Sequence, residues 1–168
     1  MKSFFLLLFA VLSLSVMAQA PYTITTDPKH PEQKMLVGPI TRSLLVQDTA
    51  FSWYTPSYQY YTPDEATIAA FKAHPEVRYL IFGGTWCEDT QTILPKFYKI
   101  LELAGLPDHQ ASLLAVDRDK KTIGMLAETL QVTLVPTIIA FKDGKEIGRV
   151  VEYGTTGAWD KELAGFLK

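Results

Sequence analysis

The stretch from Val77 to Ala104 restricts the fold of this chain more than any other. A short run of mostly β-forming residues, Val77 to Phe82, is broken by Gly83-Gly84. From Cys87 a helical pattern follows, with Ile93, Phe97, Ile100, Leu101 and Leu103-Ala104 on one face. The run suits a strand buried on both sides, and the amphipathic helix after it returns over the sheet as a crossover. Pro95 lies inside that helix and predicts a kink, because its ring removes one N–H and crowds the preceding turn.

The flanking signals extend the same alternation. Thr62-Pro63-Asp64-Glu65 predicts a helix start, with Thr62 as N-cap, Pro63 in the first turn and Glu65 completing a capping box. Ile68, Phe71 and Lys72 continue it, and it stops before Pro75. Ser112 to Val116 predicts a second buried strand. Asp119 is placed to cap a helix carrying Ile123, Leu126 and Leu130. Thr137 to Phe141 and Ile147 to Tyr153 predict a hairpin around Asp143-Gly144, a pair suited to left-handed turn angles. Thr156 is expected to cap a last helix with Trp159, Leu163, Phe166 and Leu167. Together these predict an α/β fold with a mixed central sheet and helices on both faces.

Residues 19–61 stand apart. Prolines at 21, 28, 31, 39 and 56 and the aromatics from Phe51 to Tyr61 predict an irregular N-terminal extension, packed on the core by its rings. Only Met35 to Val46 has room for a short strand or helical turn. At 168 residues and 48 % hydrophobic, the chain has material for one core. The division expected is 1–18, 19–61 and 62–168.

Residues 1–18 have the order of a secretory signal peptide: Lys2, an apolar run from Phe4 to Leu12, then small residues to Ala18. The run is short for a membrane span and no basic stop-transfer cluster follows it, so no stable membrane anchor is expected after cleavage. Export to a periplasm or secretion is the expected destination. Cleavage after Ala18 removes one lysine and leaves 15 basic against 18 acidic residues, a net charge of −3. Neither charge nor any Lys/Arg run points to nucleic acid.

Cys87 is the only cysteine, so no disulfide can form within the chain, and the thiol is either inert or reactive. At a helix N-terminus its sulfur meets unpaired N–H groups and the positive end of the dipole, which favour a thiolate. Thr90, three residues on, is placed to donate its hydroxyl to the sulfur. Glu88 and Asp89 oppose ionisation, which leaves an expected moderate depression and a usable thiolate near neutral pH. His30, His74 and His109 lack ligand spacing, and Gly83-Gly84 lacks the lysine of a phosphate loop, so neither metal nor cofactor is expected.

Gly84-Thr85-Trp86-Cys87-Glu88-Asp89-Thr90, with Pro95 beyond it, and Val135-Pro136-Thr137 about 50 residues later resemble two motifs of the thioredoxin superfamily. Asp143-Gly144 and Gly154 also fall where thioredoxins carry a turn and a glycine. The resemblance covers roughly residues 62–168 and implies a thioredoxin fold, with Cys87 as nucleophile and Pro136 in a cis-proline loop facing it. It further implies a substrate groove formed by Trp86, Val135, Pro136 and Thr137, with the Val135 backbone turned outward to pair with an extended segment. Two positions depart from the pattern: Thr90 replaces the resolving cysteine, and Ile81 stands where many thioredoxins hold a buried aspartate.

One sulfur can attack a protein or small-thiol disulfide, but an external thiol must then release the product. Monothiol thiol–disulfide exchange is therefore the expected function. A non-catalytic binding or chaperone-like module is the alternative, and peroxide chemistry a weaker third, because Gly84 stands where peroxidatic sites carry a threonine.

Overall fold

The computed structural model describes residues 21–167. The signal-peptide reading of residues 1–18 lies outside the described residues. Six strands form one mixed sheet: β1 (Thr23–Thr26), β2 (Lys34–Ile40), β3 (Arg78–Gly83), β4 (Ala111–Ala115), β5 (Thr137–Lys142) and β6 (Lys145–Val151), in spatial order β1-β2-β4-β3-β5-β6. Only β3 and β4 run parallel; every other neighbouring pair is antiparallel. Among the described residues six α-helices accompany them: α1 (Arg42–Gln47), α2 (Tyr54–Gln59), α3 (Glu65–Ala73), α4 (Glu88–Leu103), α5 (Leu126–Thr129) and α6 (Trp159–Gly165).

The central strands are buried on both faces, and their residues alternate between two cores. Tyr79 and Ile81 of β3, Leu113 and Ala115 of β4, and Ile138 and Ala140 of β5 enter the larger core with α1–α4 and α6. Phe82, Leu114 and Ile139 enter the smaller one, which holds Ala127 of α5 together with Val132 and Val135. The larger core centres on rings: Tyr79 stacks on Phe71 at 5.4 Å and meets Phe97 edge-on at 5.2 Å.

Several local expectations change. The extension is not without regular structure. Its β2 pairs with β4 from Gly38↔Ala115 to Ile40↔Leu113, and β1 pairs with the other side of β2. Pro39 lies beyond Val37, where the pairing with β1 ends, so at its position β2 has a neighbour on the β4 side alone. Of its aromatics, Phe51 and Tyr54 are buried, whereas Tyr60 projects into solvent. The cap of α3 is Asp64, whose carboxylate accepts from the Ala66 N–H at 2.9 Å, rather than Thr62. Asp119 caps nothing: the Asp117 carboxylate takes the N–H groups of Asp119 and Lys121 in a tight loop. Gly124 and Met125 then adopt left-handed angles that separate Ile123 from α5. At the last helix Ala158 occupies the N-cap position, and Thr156 only accepts a long bond from the Ala158 N–H at 3.4 Å.

Candidate active site

The site lies where β3 hands over to α4. Glycine at 83 and 84 lets the chain turn tightly: a Cβ on Gly83 would lie 2.8 Å from the Thr90 methyl, and one on Gly84 would lie 2.6 Å from the Trp86 ring. Cys87 follows in extended conformation as the N-cap of α4, without a side-chain capping bond. Its side chain is half-buried. The sulfur donates to the Val135 carbonyl at 3.1 Å, and the Val135–Pro136 peptide is cis. Glu88 and Asp89 occupy the first turn of the helix.

Of the six residues singled out in the sequence, four converge here and two do not. Cys87, Trp86, Val135 and Pro136 form one corner of the smaller core. The Val135 carbonyl is engaged by the thiol, while its N–H donates to no partner among the described residues. Thr90 is buried, and its hydroxyl oxygen accepts from the Gly84 N–H at 3.2 Å. No bond from Thr90 to the sulfur exists among the described residues, so its expected role at the thiol is corrected to bracing the loop. Thr137 is likewise buried: it donates to the Leu134 carbonyl at 2.7 Å and closes the proline loop instead of facing the groove. In both cases the backbone of a tight turn needs a polar partner and takes the nearest hydroxyl.

Trp86 is held on more sides than a free rim residue. Its indole N–H donates to the Val116 carbonyl at 2.9 Å. The Arg118 guanidinium lies over its ring at 4.6 Å and Lys120 at 5.8 Å. Arg118 is itself clamped by both carboxylate oxygens of Asp27, its Nε donating at 2.7 Å. Asp27 is fully buried in the loop between β1 and β2. Hydrogen bonding from Arg118 holds its carboxyl at about 2, against an ordinary 3.8. Burial raises the phenol of Tyr153, beyond β6, and Asp89 and Cys87 add to that rise.

The active-site loop is also tied to the extension. The buried Thr85 hydroxyl accepts from the Leu36 N–H of β2 at 3.2 Å, and Gln91 donates to the Thr85 carbonyl at 2.9 Å. Asp27, Arg118 and Thr85 carried no signal of their own in the sequence, since each acts through a partner 49 or 91 residues away. Among the described residues no cluster of three or more His, Cys, Asp or Glu could hold a metal ion. No helix there is long and apolar enough to cross a membrane.

The chain is similar to known proteins over its second half and beyond. The Thioredoxin family model matches residues 68–165. A thioredoxin of Staphylococcus haemolyticus is 35 % identical over 77 residues, covering 46 % of this chain and 69 % of that one. A thioredoxin of Chlamydia pneumoniae is 37 % identical over 84 residues, covering 49 % and 70 %. Among solved structures, a Pseudomonas aeruginosa protein of unknown function superposes with a TM-score of 0.51 at 16 % identity, covering 77 % of this chain and 85 % of that one. That last likeness is one of fold.

Proposed function

This chain belongs to the thioredoxin family, and from that premise we propose that it is an exported monothiol thiol–disulfide exchange protein acting through Cys87. The observation that carries the reading is the position of the chain's single sulfur. It is half-buried at the N-cap of a 16-residue helix, 3.1 Å from the carbonyl that precedes Pro136. Amide dipoles converge there without a capping side chain.

In the exchange, Cys87 gives its proton to solvent and the thiolate attacks one sulfur of a substrate disulfide. A bond forms between Cys87 and that sulfur, the original S–S bond breaks, and the other sulfur leaves as a thiolate. An external thiolate then attacks the mixed disulfide, freeing Cys87 and leaving a new disulfide between substrate and external thiol. Once the sulfur loses its proton, the Val135 carbonyl is free to accept from an extended substrate segment, and the Val135 N–H is available to donate to one. Thr90 cannot resolve the intermediate, so the external thiol is obligatory. Export is supported by Lys2 and the apolar run from Phe4 to Leu12, and recovery of a mature protein beginning near Gln19 would test it.

The central test incubates reduced protein with glutathione disulfide and weighs the intact product. One glutathione adduct, reversed by excess thiol and absent in Cys87→Ser, is the expected result. A protein that stays unmodified while Cys87→Ala still captures its partners would replace this reading with the binding-module one.

A further inference from the structure

The family match begins at residue 68, yet the guanidinium over the indole beside Cys87 is held by a residue 41 positions upstream of that start. We propose that the N-terminal extension completes the active site: Asp27 fixes Arg118 across Trp86, and Arg118 is the positioning residue that seats the indole and keeps a fixed cation over it, beside Cys87. The inference rests on Cys87 being a working thiol.

Three observations converge on it. Asp27 is a fully buried carboxylate whose two oxygens both accept from Arg118, Oδ1 taking the Lys29 N–H at 2.9 Å as well, and Arg118 is its ion-pair partner among the described residues. The bidentate fork fixes the guanidinium plane, which a lysine could not do. The Arg118 Cζ lies 4.6 Å from the ring centre of Trp86, whose N–H donates to Val116, so the indole is held by one cation–π contact and one hydrogen bond. The Asp27 hydrogen bond raises the pKa of Arg118, and Cys87 adds a smaller electrostatic contribution in the same direction.

Apart from the amides at the start of α4, the surroundings of the sulfur are unfavourable to an anion. Glu88 and Asp89 lie on its own helix, Tyr153 approaches from beyond β6, and the proline loop presents a carbonyl. Lys120 shares the indole face, but its ammonium is tied to the Arg118 carbonyl at 3.0 Å. Arg118 is thus the cation whose place is fixed by a buried partner. Without Asp27 the guanidinium would be free to swing into water.

The test measures iodoacetamide alkylation of Cys87 across pH 5–9 in the full mature chain and in Asp27→Asn, Arg118→Met and Arg118→Lys, with circular dichroism to confirm folding. Arg118→Met is expected to slow alkylation at pH 7 by about three-fold or more and to move the curve to higher pH. Arg118→Lys should recover part of that loss, and Asp27→Asn should fall between wild type and Arg118→Met. If Arg118→Met does not fold, the near-isosteric Asp27→Asn decides alone. Folded variants that follow the wild-type curve would overturn the proposal. Alkylation reads this inference and glutathione exchange reads the functional one. A shifted curve in a protein that performs no exchange would therefore leave the strut standing and remove the enzyme.

Discussion

Thr90 shows how much a single side chain can decide. Its hydroxyl braces the Gly84 N–H and its methyl fills the space above Gly83, so it stands in the resolving position without doing chemistry there. Residues three apart on a helix are neighbours, and Thr90→Cys is expected to place a second sulfur beside Cys87. The variant should reduce a protein disulfide with a dithiol reductant faster than the wild type, which has to wait for the reductant to release each mixed disulfide; insulin precipitation with non-reducing mass analysis would check it. The same change removes the acceptor of a buried N–H and should cost roughly 1–3 kcal/mol in urea unfolding. The place of Cys87 at a helix start was legible in the glycine break and the helical pattern after it, whereas the loop of Val135 and Pro136 was legible only through the resemblance. The direction of the Thr90 hydroxyl was not, because it depends on which backbone group the glycine turn leaves without a partner.

At the scale of elements, the bond from Leu36 to Thr85 joins the added strand to the loop that carries the sulfur. Thr85→Val preserves the shape of the side chain but leaves the Leu36 N–H buried and unpaired. A loss of about 1–3 kcal/mol is expected in denaturant titration. The helix α4 and the β5–β6 hairpin could be read from local signals, since their periodicity and the Asp143-Gly144 turn lie within the segments themselves; both turn residues do adopt positive φ. The strands β1 and β2 could not be read so clearly. The strand β2 pairs with β4, more than 70 residues downstream, β1 pairs only with β2, and Pro39 and Gly38 weaken the local pattern. The short helix expected behind Asp119 lost its start to the Asp117 loop, a competition between two neighbouring carboxylates that spacing does not rank.

Across the whole molecule, the Asp27–Arg118 pair links stability to pH. The carboxyl of Asp27 titrates lower in the folded chain than its ordinary 3.8, at about 2. Its contribution is therefore complete above pH 4 and is lost as pH falls toward 2, when the folded state must take up a proton it had resisted. Glu76, held to about 2 chiefly by Lys142, acts in the same window, so the effect of Asp27 is read as a difference. Thermal midpoints measured from pH 7 to pH 2 should fall more steeply for wild type than for Asp27→Asn.

The pairing of β2 with β4 has a consequence for anyone who trims this protein. A fragment cut to the family-matched boundaries would strip one flank of β4 and leave its amides and carbonyls open to any extended chain nearby. Such a fragment would be prone to stack on copies of itself, and its clumping could be mistaken for a defect of the remaining sequence when the fault lies in the excision.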